Sequence, residues 1–134
     1  MRPPVESVRI SPQGRDQLIK LKRQTGIEHW NVLCRWALCC SLRERTIPPM
    51  QISSTDGGVE MSWKVFAGEN PDALASVIYL RAVSDGFADS PDGNALCLRA
   101  HLHRGLGYLA SEKDINGISG FLTRWTQNRR QGSQ

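Results

Sequence analysis

The feature that most constrains the fold is a predicted helix over residues 28–45 that is apolar on nearly all sides. With about 100° of rotation per residue, one apolar stripe consists of Trp30, Leu33, Ala37 and Cys40. A second stripe beside it consists of Val32, Trp36 and Cys39. Such a helix is buried in a core or between subunits, and a chain of 134 residues cannot easily enclose it alone. We therefore expect an oligomer, with these residues in the core or at the subunit interface: Trp30, Leu33, Trp36 and Cys40.

Cap and breaker residues place the elements before this helix. Residues 5–11 alternate apolar and polar side chains, which predicts a short strand. Ser11 and Pro12 are a favourable N-cap and first helical residue, and Gly26 is a typical helix stop. The sequence therefore predicts a helix over residues 12–25.

The second half of the chain continues the helical pattern. Apolar and polar residues alternate over 59–65, which predicts a second strand. Further helices are predicted over residues 71–86 and 94–111, and a fifth helix after Asp114. The fold class expected is mainly α, with about five helices and one or two short β-strands near the N-terminus and in the middle.

No linker or internal repeat divides the chain, so we expect a single compact domain over residues 1–134. Its ordered core should span residues 5–126. Residues 127–134 are polar and are expected to form a frayed tail.

Positive charge is concentrated in the first third of the chain. Residues 1–50 contain nine Lys or Arg and four Asp or Glu, whereas residues 51–134 contain eight and nine. In the helix predicted over 12–25, the cations lie opposite an apolar face. A segregated positive field suits a phosphate surface, although it is also compatible with an ordinary solvated helix face. The candidate DNA contacts are Arg9, Arg15, Lys20, Lys22 and Arg23.

The order strand, helix, helix at the N-terminus is also that of the ribbon-helix-helix DNA-binding proteins. By this analogy, Arg9 on the first strand would contact base edges in the major groove. The analogy concerns the order of elements alone.

Neither a metal site nor a cofactor is predicted. Cys34, Cys39 and Cys40 have the spacing of neither a zinc knuckle nor an iron–sulfur cluster. Small core residues are the expectation for them. The sequence also has neither a secretory signal nor an apolar segment long enough for a membrane span, so we expect a cytoplasmic protein.

The nearest approach to a catalytic cluster is His101, His103 and Arg104. The two histidines lie about 200° apart on a helix, and no carboxylate at helical spacing orients either ring. We predict no catalytic residue and favour packing, a subunit contact, or a phosphate contact by Arg104. The alternative is a nuclease or nickase that uses His101 or His103. Nearby, Gly105 and Gly107 predict close helix packing.

Three blocks of the sequence carry a family resemblance. They are RDQLIKLKRQTGIEHWNVLCRWALCCSL (15–42), VEMSWKVFAGE (59–69) and LCLRAHLHRGLGYLAS (96–111). In this order they resemble the DndE family of bacterial DNA phosphorothioation proteins. The tryptophan-rich segment from Thr25 to Ala37 is the most specific part of the match.

This resemblance implies a role in DNA sulfur modification of the restriction–modification type, in which sulfur replaces a non-bridging phosphate oxygen. It implies a DNA-binding homotetramer with a preference for nicked duplex, and DNA contacts at Lys20 and Lys22. It also implies three partner proteins: a cysteine desulfurase, an iron–sulfur ATP-pyrophosphatase-like protein and an SMC-like ATPase.

A non-catalytic DNA-binding accessory subunit that scaffolds these partners is the function expected. Replacing oxygen on phosphorus needs an activated phosphate and a reactive sulfur, and the sequence has no motif for either. A third possibility is a structural adaptor whose basic face binds acidic protein only.

Overall fold

The computed structural model of the chain describes residues 1–49 and 54–111. Over these ranges the fold is mainly α, with a two-stranded sheet, and the chain forms a single compact domain. The elements in order are β1 (Ser7–Ile10), α1 (Pro12–Thr25), α2 (Trp30–Leu42), β2 (Val59–Ser62), α3 (Trp63–Ala67), α4 (Pro71–Asp85) and α5 (Pro91–Ser111). The helix predicted after Asp114 and the tail predicted at 127–134 lie outside the described residues.

The first helix has the bounds that its caps predict. The Ser11 hydroxyl accepts a hydrogen bond from the Gly14 amide at 3.1 Å, which satisfies one of the unpaired donors at the helix start. At the other end, Gly26 has φ 75°, a left-handed conformation that glycine adopts without steric cost. Its amide donates to the Lys22 carbonyl.

The second strand is shorter than predicted. It ends at Ser62, whose hydroxyl accepts a hydrogen bond from the Val65 amide at 3.2 Å and caps α3. The strand predicted over 59–65 is therefore wrong in its second half. Trp63 is buried in the helix instead, because a local serine cap and tertiary packing override the alternation of side chains.

β1 and β2 form an antiparallel pair in which Ser7 lies opposite Ser62 and Ile10 opposite Val59. The partner of the N-terminal strand thus comes from the middle of the same chain. The analogy to ribbon-helix-helix proteins therefore stays limited to the order of elements.

The second helix is two to three residues shorter at each end than predicted, and it packs mainly against α5. Leu33 is fully buried and Cys40 nearly so, whereas Trp30 and Trp36 are partly buried against the same core. The chain therefore buries about half of this helix by itself, and the oligomer stays a prediction. Cys39, predicted in the core, is exposed; none of the four cysteines forms a disulfide.

The contact between α2 and α5 depends on the absence of a side chain at one position. A Cβ atom built on Gly105 would lie 1.7 Å from the Ala37 carbonyl oxygen, so the two helix backbones meet there. At Gly107 a Cβ would meet nothing within 4 Å. The predicted role in close helix packing is confirmed for Gly105 and is wrong for Gly107.

α4 carries the main exposed apolar surface of the described residues. Val77, Leu80 and Val83 are 43%, 73% and 69% exposed. Within the described ranges, no helix is both long and apolar enough to cross a bilayer.

Candidate nucleic-acid interface

The basic face of α1 is solvent-exposed. Arg15, Lys22 and Arg23 are exposed, and the structure gives none of the three an ion-pair partner within residues 1–49 and 54–111. The opposite side of the helix is buried through Gly14, Leu18, Leu21 and Thr25, as the helical periodicity predicts. Because one face is anchored in the core, the three cations are held on a rigid surface. Their role in DNA binding stays a prediction.

Lys20 differs from the other cations of α1. Its ammonium group donates a hydrogen bond of 2.6 Å to the Ala110 carbonyl, near the end of α5. Lys20 therefore ties α1 to α5, a structural role that the sequence pattern does not reveal.

Arg9 lies on the exposed side of β1, directly opposite Glu60 of β2. The Arg9 Nε atom is 3.6 Å from the Glu60 carboxylate, and both side chains are more than half exposed. An exposed ion pair of this length contributes about 0–1 kcal/mol, so it does not hold the arginine firmly. Arg9 also shares a crevice with Arg99 of α5, a residue that the sequence analysis did not select.

His101 is fully buried in a polar network that joins α2, α4 and α5. Its Nδ1 atom is 2.8 Å from the Ser41 hydroxyl, and its Nε2 atom is 2.7 Å from the Asp85 carboxylate. Arg104 Nε donates to the same serine oxygen at 2.8 Å, so the serine O–H is directed to Nδ1. The ring then donates from Nε2 to Asp85. Burial is the main cause that lowers the pKa of His101, which keeps the ring neutral.

The carboxylate that orients His101 comes from α4, sixteen residues earlier, and not from the helix that bears the histidine. No carboxylate at helical spacing was expected to orient the ring, and the one that orients His101 is at no such spacing. The resulting Ser41–His101–Asp85 arrangement has the residue types of a catalytic triad. Ser41 is fully buried and already accepts from Arg104, so a substrate could not reach its hydroxyl.

Two arginines hold the C-terminal end of α2. Arg81 donates to the Leu42 carbonyl at 2.9 Å and to the Glu44 carbonyl, and it forms an ion pair with Asp85 at 2.9 Å. Arg104 donates to the Ser41 carbonyl at 2.8 Å and also to Thr46. These bonds satisfy carbonyls that have no partner within the helix. The guanidinium of Arg104 is thus engaged internally and is not presented for a phosphate contact.

His103 connects α5 to the start of α1. Its Nε2 atom accepts a hydrogen bond from the Ser11 amide at 3.0 Å, and its Nδ1 atom lies 2.8 Å from the Arg99 carbonyl. Because a carbonyl can only accept, the ring proton is on Nδ1. Burial lowers the pKa of His103, in keeping with the neutral ring that this pattern requires.

Asp85, Cys97 and His101 also bring donor atoms within 4.8 Å of one another, a spacing that a metal ion could bridge. The residues fit such an ion poorly. Arg81 already neutralises Asp85, and the Asp85–His101 hydrogen bond fills the space between two of the donors. Burial raises the pKa of Cys97 to about 12, whereas a ligand must be the thiolate.

The structure therefore separates two regions with different chemistry. Both ring nitrogens of His101 and of His103 are occupied by internal hydrogen bonds, so neither ring presents a base or ligand atom. In contrast, Arg9, Arg15, Lys22 and Arg23 present charge to solvent. Within the described part of the chain, this basic surface is the candidate site for a polyanion.

The sequence profile of a family described as DNA sulphur modification protein DndE matches residues 7–117. The chain is similar to the crystal structure of DndE from Escherichia coli B7A, involved in DNA phosphorothioation modification, with 25% identity and a TM-score of 0.65. That alignment covers 78% of this chain and 96% of the other.

A second similar structure is a mutant DndE involved in DNA phosphorothioation, with 21% identity, a TM-score of 0.64, and coverage of 78% of this chain and 97% of the other. At this identity the likeness shows the fold alone. None of the curated protein sequences matches the chain.

Proposed function

The chain belongs to the DndE family of DNA sulphur modification proteins, and on this premise we propose that it is a non-catalytic subunit that binds duplex DNA. The proposed partners are the other phosphorothioation proteins: a cysteine desulfurase, an iron–sulfur ATP-pyrophosphatase-like protein and an SMC-like ATPase. The proposed site of action is the cytoplasm, where the chain positions the DNA backbone for these enzymes.

The observation that carries this proposal is the exposed basic face of α1. Arg15, Lys22 and Arg23 point away from a helix whose other side is buried, so their positions are set by the core. Cations on a rigid surface bind phosphates and release the condensed counterions of DNA. Phosphate contacts fix the position of a duplex but carry no direct sequence information. We therefore expect little sequence specificity from this chain.

A non-catalytic role is supported by the state of the residues that could be reactive. Sulfur transfer to phosphorus needs a thiolate or persulfide and an activated phosphate. Burial raises the pKa of Cys34 and Cys97 to about 12, so these two thiols are protonated at neutral pH. The sulfur chemistry is accordingly assigned to the partner proteins.

We also propose that the chain forms a homotetramer and prefers nicked duplex, as the family resemblance implies. Support for self-association comes from α4, where Val77, Leu80 and Val83 leave an apolar surface in solvent. A contiguous exposed apolar surface is typical of a protein–protein contact. The proposed subunit contact is therefore α4 and not α2.

The DNA-binding proposal is tested by reversing charge on α1. The double variant Lys22→Glu/Arg23→Glu leaves Lys20, and hence the bond to Ala110, in place. A fluorescent duplex is titrated by anisotropy at several salt concentrations. The logarithm of the binding constant falls with the logarithm of salt concentration by about 0.9 per phosphate contact. We expect the variant to bind much more weakly and the steepness of this dependence to fall by about 2.

The matched control is Arg45→Glu/Lys64→Glu, which changes net charge equally at two exposed positions outside α1. It should retain most of the affinity and the salt dependence of the native chain. Light scattering on each variant should give the native particle mass. Equal affinity for the native chain and the α1 variant at low salt would refute the proposal.

A further inference from the structure

A small crevice between β1 and α5 brings two arginines together. Its volume is about 30 Å³. It is lined by Val5, Ser7, Val8, Arg9, Ala95, Leu98 and Arg99. The two cations come from elements about ninety residues apart in sequence, and the remaining lining is largely apolar. The two positive charges therefore lie at one crevice only because β1 and α5 pack together in the fold.

Neither arginine is committed to a strong partner. Within the described residues, the structure gives the Arg99 side chain no hydrogen bond or ion pair, and Arg9 has only the 3.6 Å ion pair with exposed Glu60. An anion at the crevice would be attracted by both positive charges. Guanidinium groups are also suited to phosphate because their N–H donors match pairs of phosphate oxygens.

The crevice is large enough to receive one phosphate oxygen. Its volume of about 30 Å³ exceeds the minimum that a water-sized group needs. The apolar lining by Val5, Val8 and Leu98 can cover the methylene stems of the arginines, which leaves their charged ends in solvent.

The backbone around the crevice is fixed by His103. Its ring accepts a hydrogen bond from the Ser11 amide, two residues after Arg9, and donates one to the carbonyl of Arg99 itself. This relay sets the distance between the two elements that carry the arginines. It uses the backbone of Arg99 and not its side chain, so the side chain can be removed without breaking the relay.

We propose that Arg9 and Arg99 bind one and the same phosphate of the DNA backbone, at the crevice between β1 and α5. This site rests on the proposed DNA-binding function and extends the contact surface beyond α1. Arg99 is a phosphate ligand, and His103 is a positioning residue that keeps the two arginines together.

The experiment is a double-mutant cycle of Arg9→Ala, Arg99→Ala and the combined variant, with a fluorescent 20-base-pair duplex as probe. Removing one phosphate contact should weaken binding by about eightfold at 0.1 M salt and lower the salt dependence by about 0.9. If both arginines hold one phosphate, the combined variant should lower the salt dependence by about 1 and not 2. Its loss of affinity should also be smaller than the product of the single losses.

The matched control is Arg45→Ala, which removes one exposed positive charge remote from the crevice. An equal loss for Arg99→Ala and Arg45→Ala would overturn the proposal, because it would reflect net charge alone. Losses that multiply in the combined variant, with a fall of about 2 in the salt dependence, would also overturn it. If the α1 variant loses affinity while Arg99→Ala does not, the proposed phosphate site at the crevice is refuted and the DNA-binding function stands. If neither loses affinity, the function itself fails.

Discussion

The contact of α2 with α5 at Gly105 gives the sharpest prediction about this fold. A methyl group added there would lie 1.7 Å from the Ala37 carbonyl oxygen, and real Cβ contacts of this kind are essentially never shorter than 3.0 Å. The helix backbones would have to separate by more than 1 Å. Because the obstacle is backbone and not the end of a flexible side chain, no rotamer change can relieve it.

The expected cost of Gly105→Ala follows from two opposing terms. Overpacking a well-packed core costs about 1–3 kcal/mol and sometimes more, and a backbone obstacle places this site at the upper end. Alanine regains up to about 1 kcal/mol because it has the higher helix propensity. We expect Gly105→Ala to lower the free energy of unfolding by at least about 2 kcal/mol. For a chain of this size, that corresponds to a fall in Tm of roughly 8 °C.

Gly107 supplies the matched control on the same helix. A Cβ there meets nothing within 4 Å, so Gly107→Ala should gain the helix propensity without a clash. It should raise the free energy of unfolding by about 0.5–1 kcal/mol. Urea denaturation at one fixed protein concentration measures both variants, since unfolding of an oligomer depends on concentration. The reasoning is refuted if Gly105→Ala is as stable as the native chain, or if the two variants change stability alike.

Two further predictions concern buried polar groups. Burial lowers the pKa of His101 and His103 in the folded chain, so the unfolded chain binds protons first as the pH falls. The free energy of unfolding should be at its maximum above about pH 6.5. Below that pH it should fall by up to about 1.4 kcal/mol per pH unit for each histidine, until the pKa of the folded chain is reached. Urea midpoints that stay level from pH 7.5 to 5.5 would contradict this. Lys20→Met keeps the side-chain stem but removes the hydrogen bond to the Ala110 carbonyl. It should lower the free energy of unfolding by about 1.5 kcal/mol and leave the salt dependence of DNA binding unchanged. Unchanged stability with a fall of about 1 in the salt dependence would instead identify Lys20 as a phosphate contact.

Local signals were sufficient for much of the fold. Ser11, Pro12 and Gly26 placed both ends of α1, because N-caps, first-turn proline and a left-handed glycine act within a few residues. The 3.6-residue period likewise identified the buried face of α1. The same kind of reasoning failed at Trp63, where alternation favoured a strand and the cap at Ser62 started a helix.

The sequence by itself determined which residues of α1 face solvent. The helical period of 3.6 residues places the apolar side chains on one side of the helix and the charged ones on the other. The sequence could not determine whether an exposed cation is available. Helical periodicity treats the cations Lys20 and Lys22 alike, and both are exposed. The fold nevertheless gives Lys20 a hydrogen bond to the Ala110 carbonyl and gives Lys22 no such bond within the described residues.

Only the tertiary structure decided which distant groups meet. Asp85 reaches His101 from another helix, and Arg99 reaches the crevice beside Arg9 from the far half of the chain. Such contacts depend on how α4, α5 and β1 pack, and no spacing along the sequence encodes them. The physical reason is range: caps and periodicity act over a few residues, whereas hydrogen-bond networks and shared charge are set by three-dimensional packing.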